Sequence, residues 1–153
     1  MRHLLLLLLL SMALPVIAAE VTAPPAFDAA LAQRLGADER GMHRFMFVVL
    51  TSGAKSDFSD AERDELFRGH MRNIGRMADA GQLVVAGPLG KNDRNYRGIF
   101  VFDVASEDEA RALLVTDPAV KAGLFAFEIY EWYASAALKE VSAIHKRIDN
   151  TRH

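Results

Sequence analysis

The run HRFMFVVLTSG at 43–53 is apolar on both sides of an extended chain. Successive side chains of a strand point to opposite faces, so Phe45, Phe47 and Val49 face one way and Met46, Val48 and Leu50 the other. Such a strand has no face to offer to water. It belongs in the middle of a sheet that is covered on both sides.

The rest of the chain supplies the cover. SDAERDELFRGHMRNIGRMADAG reads as a long helix. Ser59 and Glu62 have capping-box spacing at its start, and Gly81 is a C′ residue at its end. LVVAGPL follows as a second strand, closed by Gly87-Pro88, and the polar loop GKNDRNYRG leads to a third, GIFVFDV. SEDEARALLV opens a second helix with the capping-box pair Ser106 and Glu109. TDPAVKAG makes a short extra turn, with Pro118 suited to a first helical position. LFAFEIYEWYA is the last strand, and SAALKEVSAIHKRI closes the chain as a helix. The order β-α-β-β-α-β is the ferredoxin-like α+β arrangement, an antiparallel sheet with helices on one face. Aromatic and aliphatic residues recur on both faces of the strands. The second face therefore calls for cover from outside, and sheet-to-sheet homodimerisation is the economical answer.

The first residues stand apart from this pattern. MRHLLLLLLLSMALPVIAA has a basic Arg2, a leucine run and small residues ending at Ala18-Ala19, the layout of a secretory signal peptide. The expected organisation is a signal peptide at 1–19, a leader segment with a short helix at 20–42, the α+β domain at 43–134 and a C-terminal helix and tail at 135–153. Cleavage after Ala19 and a periplasmic destination are expected; an uncleaved membrane anchor is the alternative. The apolar run is short for a span. No cysteine is present, which closes the lipoprotein route, disulfides, thiolate catalysis and cysteine metal sites. The balance of 18 basic to 20 acidic residues, with no basic stripe among aromatics, argues against nucleic acid as a partner. No membrane partner is expected after cleavage.

The run from about Arg44 to Leu138 resembles the YCII-related (YciI-like) family. The likeness is carried by GHMRNI, AGQLVVAGPL, RGIFVFDV, TDPAVKAGLF and EIYEWY in that order. The leader LGADERGMHRFMFVVLTSG and the tail IHKRI look like an exported subgroup with added terminal helices. The resemblance implies a dimeric α+β barrel, in a superfamily that includes muconolactone isomerases, small monooxygenases and haem-binding peroxidase relatives. A His-Asp pair is the family's proposed active site. Matched residue by residue, it falls on His70 and Asp117.

His70 already asks for an explanation from the residues alone. It lies among Leu66, Phe67, Ile74, Met77 and Ala78 at helical spacing, so its ring points inward, where a polar group needs a partner. It is either a hydrogen-bonded core residue or a general base with Asp117 behind it. Asp117, before Pro118, is equally a helix N-cap, and the two roles are compatible. Gly87 and Pro88 make a turn or let a ligand approach the backbone. Arg97 could hold a substrate carboxylate. Glu128 shares a strand face with Ala126, Tyr130 and Trp132, as an acid or base among aromatics or as an edge residue open to water. No GxSxG elbow and no HExxH spacing occur, so neither a serine nucleophile nor a metal is expected. No cofactor is expected either; haem on His70 follows from superfamily analogy alone.

Two function classes stay open. One is an enzyme that moves a proton in, or eliminates from, a small carbonyl or lactone compound, with His70 as base and Asp117 as its orienter. The other is a non-catalytic module, binding a small ligand in the same pocket or serving a structural role as a dimer.

Overall fold

The computed structural model describes residues 26–150. The signal-peptide reading of 1–19 lies outside the described residues. The described chain runs α1 (Ala29–Leu35), β1 (Met42–Ser52), α2 (Asp60–Asp79), β2 (Leu83–Pro88), β3 (Tyr96–Phe102), α3 (Glu107–Leu114), α4 (Pro118–Lys121), β4 (Phe125–Ser135), a 3-10 helix (Ala136–Glu140) and α5 (Val141–Ile148). The strands form one antiparallel sheet in the order β2-β3-β1-β4, the ferredoxin-like arrangement. The doubly apolar β1 is central, with Val48 opposite Phe100 on β3 and opposite Ile129 on β4.

Local sequence fixes the helix ends. Ser59 Oγ accepts from the Glu62 N–H while Glu62 Oε2 accepts from the Ser59 N–H, the full capping box. At the far end Gln82 N–H donates to the Met77 carbonyl and Gly81 N–H to that of Ala78, a Schellman closure with Gly81 at φ 72°. The start of α3 differs from the expected box. Ser106 Oγ does accept from Glu109 N–H, but Glu109 Oε2 turns back to the N–H of Ala105, one residue before the cap. The terminal helix is also two pieces, a 3-10 turn followed by α5.

The two faces of the sheet carry separate cores. Under the helices, Met46, Val48 and Leu50 pack with Met77, Leu83, Phe100, Phe102 and Leu114. On the opposite face Phe45, Val84, Val101 and Ala134 pack together, with Leu138 of the 3-10 helix over them. That second core is covered only at one end, for Tyr130 and Trp132 on β4 stay 52% and 39% exposed. Helix α5 shields the edge strand β2. Ser142 Oγ donates to the Val84 carbonyl at 3.4 Å, and Lys146 pairs with Asp79 of α2 at 3.0 Å.

Asp103 gathers the terminal segments. It accepts from His43 Nε2 at 2.8 Å and from Lys139 Nζ at 2.6 Å, and His43 Nδ1 lies 3.1 Å from the Gly36 carbonyl. Burial pushes the Asp103 carboxyl up, but the hydrogen bonds from Lys139 and His43 outweigh it and hold the group below the usual carboxylate range. A carboxyl depressed in the folded state stabilises the fold above its unfolded pKa, and that contribution is lost as pH falls through the lowered value. Asp103→Asn should cost about 1.5–3 kcal/mol at neutral pH, the range of hydrogen bonds to charged groups. The gap to the native protein at pH 7 should narrow at pH 3, below the ordinary carboxylate value. Urea denaturation at the two pH values measures it; an equal gap at both would remove the carboxylate from the account.

Candidate functional site

His70 stands in the middle of α2 and faces α4. Between the two helices lies Gly69. A Cβ built on it would sit 2.9 Å from Pro118 Cγ, so the absence of a side chain lets the helices close on each other. Asp117, the N-cap of α4, is thereby brought to His70. Its Oδ1 accepts from the Ala119 N–H at 2.8 Å and its Oδ2 from His70 Nδ1 at 2.6 Å. Both side chains are buried, 8% and 1% exposed. One carboxylate thus caps a helix with one oxygen and orients an imidazole with the other.

The approach to Asp117 is itself braced. The Asp117 N–H donates to the Leu114 carbonyl at 3.0 Å. Thr116 Oγ1 donates to the Leu113 carbonyl at 2.6 Å and accepts from Arg76, whose guanidinium also holds the buried Asn73 Oδ1. The carboxylate is therefore set from both its backbone and its neighbours.

Aromatic rings surround the imidazole. Phe100 stacks on it at 5.9 Å between centroids, Phe125 meets it edge-on at 5.2 Å, and Phe67 lies tilted at 5.9 Å. The ring lines a cavity of about 440 Å³ with these phenylalanines, Met71, Ile74 and Ala86. Nδ1 makes the ring's hydrogen bond. Among the described residues no buried side-chain nitrogen or oxygen lacks a partner. Nε2 must then reach open space, and the open space beside His70 is this cavity. With Nδ1–H donating to the carboxylate, Nε2 presents a lone pair to whatever occupies it.

The residues singled out in the sequence fall in two groups. Gly87, Pro88 and Arg97 line the same cavity as His70. Glu128 does not. It lies on the opposite face of the sheet, opposite Val49, exposed, and accepts from the Tyr130 hydroxyl at 2.6 Å. That bond raises the Tyr130 pKa. The alternation of β4 placed Glu128 with Tyr130 and Trp132 correctly; it sets the group away from the imidazole for the same reason. Sequence reasoning missed His145, which α5 adds to the cavity lining from beyond the sheet. Its position depends on how α5 lies along β2, and no local pattern announces that. Among the described residues no cluster of three His, Asp or Glu side chains is spaced to hold a metal ion, and no helix is long and apolar enough to cross a membrane.

A family model described as "YCII-related domain" matches residues 46–133. No curated protein matches the chain. Among solved structures the chain is similar to 5-chloro-2-hydroxyhydroquinone dehydrochlorinase (TftG) from Burkholderia phenoliruptrix AC1100, in complex with 2,5-dihydroxybenzoquinone. The identity is 23% over 57% of this chain and 92% of that one, with a TM-score of 0.42. A likeness of that degree carries no statement about chemistry.

The geometry makes Asp117→Asn informative. Asparagine caps helices as well as aspartate does, so the fold should lose about 1 kcal/mol or less from the cap. Its amide N–H2 would meet His70 Nδ1, turning that nitrogen into the acceptor and moving the ring proton to Nε2. Two-bond 1H–15N correlation of the His70 ring reads the tautomer directly. The native protein should show Nδ1–H and the variant Nε2–H; the same tautomer in both would dissolve the pairing as a functional unit.

Proposed function

The chain belongs to the YCII-related domain family, and from that premise we propose that it binds a small carbonyl or lactone compound in the His70 cavity and moves a proton on it. The observation that carries this reading is the imidazole with a carboxylate behind Nδ1 and a cavity before Nε2. In the proposed reaction Nε2 takes a proton from a carbon beside the carbonyl. The electron pair left on that carbon is delocalised onto the carbonyl oxygen. It then either expels a leaving group from the adjacent carbon or takes the proton back at another carbon. Asp117 stabilises the imidazolium formed in between. Gly87 and Pro88 give the ligand a wall without bulk, and Arg97 at the rim offers a guanidinium to a substrate oxygen. The aromatic walls suit a flat, ring-sized body.

A β,γ-unsaturated butenolide is a simple probe of this reading. In D2O, NMR follows both its α-proton exchange and its conversion to the α,β-unsaturated isomer. His70→Gln should slow either process by roughly 10²–10⁴, the range of general-base contributions. Ala86→Phe should block both by filling the cavity while leaving the His70–Asp117 bond in place. Saturable binding with no proton exchange would favour the binding-module reading, and neither binding nor exchange would send His70 back to the core.

The proposal includes a homodimer and export. The uncovered part of the second sheet face supports the dimer: Phe47 meets Trp132 edge to face at 5.5 Å, with Tyr130 beside them, and all three line one open depression. A second copy with its own face turned inward would cover them, at a typical interface of about 1,600 Å² in total. Export is supported by Arg2, the leucine run and Ala18-Ala19, with the mature chain beginning at Glu20. Light scattering of the mature protein should give twice the chain mass, and Trp132→Glu should reduce it to one chain. A native protein that is monomeric at micromolar concentration would overturn the dimer.

A further inference from the structure

A second depression, of about 350 Å³, adjoins the His70 cavity and shares Phe67, Arg97 and Phe125 with it. Its character is different. Lys55, Arg63 and Arg97 line it together with Ser52 and Ser56, and among the described residues no Asp or Glu does. Each of the three cations comes from a different element: Lys55 from the loop after β1, Arg63 from the first turns of α2, Arg97 from β3.

Like Arg40, Lys91, Arg94 and Lys121, these cations are in no ion pair among the described residues; what sets them apart is that they converge on one depression. Arg34, Arg44, Arg68, Arg72, Arg111, Lys139 and Lys146 all pair with carboxylates. Among the described residues no ion pair uses Lys55, Arg63 or Arg97, although acidic residues outnumber basic ones. Glu62 is the acid whose charge Lys55 influences, but Ser59 engages it first, through the capping box.

The positions are held rather than incidental. Arg97 Nε donates to Ser52 Oγ at 2.7 Å, which fixes the guanidinium and leaves both terminal nitrogens without a partner among the described residues. Arg63 spends one nitrogen on the Ser56 carbonyl at 3.4 Å. The loop that carries Lys55 is fastened to the turn before β4. Gly53 N–H donates to the Leu124 carbonyl at 2.9 Å and Lys55 N–H to that of Gly123 at 3.2 Å. The backbones are so close there that a Cβ on Gly53 would fall 2.0 Å from the Gly123 oxygen.

We propose that Lys55, Arg63 and Arg97 form an anion subsite of the His70 cavity, so that the ligand has an apolar, ring-sized body and a carboxylate or phosphate arm. This rests on the reading of the His70 cavity as a ligand site and narrows its substrate class. The body lies against Phe67, Phe100 and Phe125, within reach of His70 Nε2. The arm crosses between Phe67 and Phe125 and meets the guanidinium nitrogens that the protein leaves free. Bidentate guanidinium contacts and the lysine charge suit such an anion, and a low-salt dependence follows from their exposure.

The test uses 3-phenylpropionate, its neutral amide, 2-phenylethyl phosphate and inorganic phosphate, followed by amide chemical shifts of the mature protein. Millimolar phosphate should move the amides of Gly53, Lys55 and Ser56. The phenylpropionate should bind at least tenfold tighter than its amide, and the advantage should shrink in 0.5 M salt. Lys55→Gln with Arg63→Gln should remove that tenfold gain while leaving the amide's affinity unchanged, which also shows that the variant is folded. The stronger of the carboxylate and phosphate probes names the arm. Equal affinity for acid and amide, full acid binding by the double variant, or no response to phosphate would each overturn the subsite. An amide that still shifts the His70 ring in those cases would leave the cavity reading standing. Anions that move Gly53–Ser56 but never His70 would uphold the subsite and overturn its link to the cavity.

Discussion

The hydrogen bond between His70 and Asp117 organises the helical layer. It joins the middle of α2 to the N-cap of α4 in a place that water barely reaches. A lone imidazole or carboxylate there would be costly, since removing one partner of a buried pair typically costs about 3–5 kcal/mol. Each group is instead satisfied, and the carboxylate is used twice, by a helix end and by a ring. The same bond sets which nitrogen faces the cavity. Fold and chemistry are coupled here through a single proton.

The sheet imposes the other large constraint. β1 is apolar on both sides, so each face must be hidden, and the chain manages this unequally. The helices complete one core. On the other face the 3-10 helix reaches Phe45 and Ala134 and stops, leaving aromatic residues of β4 at the surface. Burial of that remainder needs a second surface of matching shape, whereas the His70 side is finished within one chain. On the proposed reading the two faces separate association from ligand binding, with β1 common to both.

The parts legible in the sequence were those governed by short-range rules. Alternation assigned the faces of β1 and β4, the capping box fixed Ser59 and Glu62, and Pro118 after Asp117 marked the start of α4. The inward direction of His70 followed from helical spacing, and the pairing with Asp117 from resemblance to a family. What spacing could not supply was the meeting of remote segments. Gly69 allows the approach of α4, yet glycine in a helix reads as a mere weakness until Pro118 is seen beside it. Glu128 and His70 looked like neighbours in kind but lie on opposite sides of the sheet, because the period of two that grouped Glu128 with Tyr130 also turns it away. No local pattern marks Lys55 and Arg63, and their convergence on Arg97 depends on a loop fastened by backbone bonds to Gly123 and Leu124.

Helix α5 supplies His145 to the cavity, yet it has no fully buried residue of its own. It is held by the pair between Lys146 and Asp79, both well exposed, and by a long hydroxyl bond to β2. An exposed ion pair contributes about 0.2–1 kcal/mol, so this wall is held by weaker contacts than the clamp between α2 and α4. The imidazole and carboxylate are joined to each other between α2 and α4 and take nothing from α5, so on the proposed reading their alignment is independent of the wall that His145 sits on.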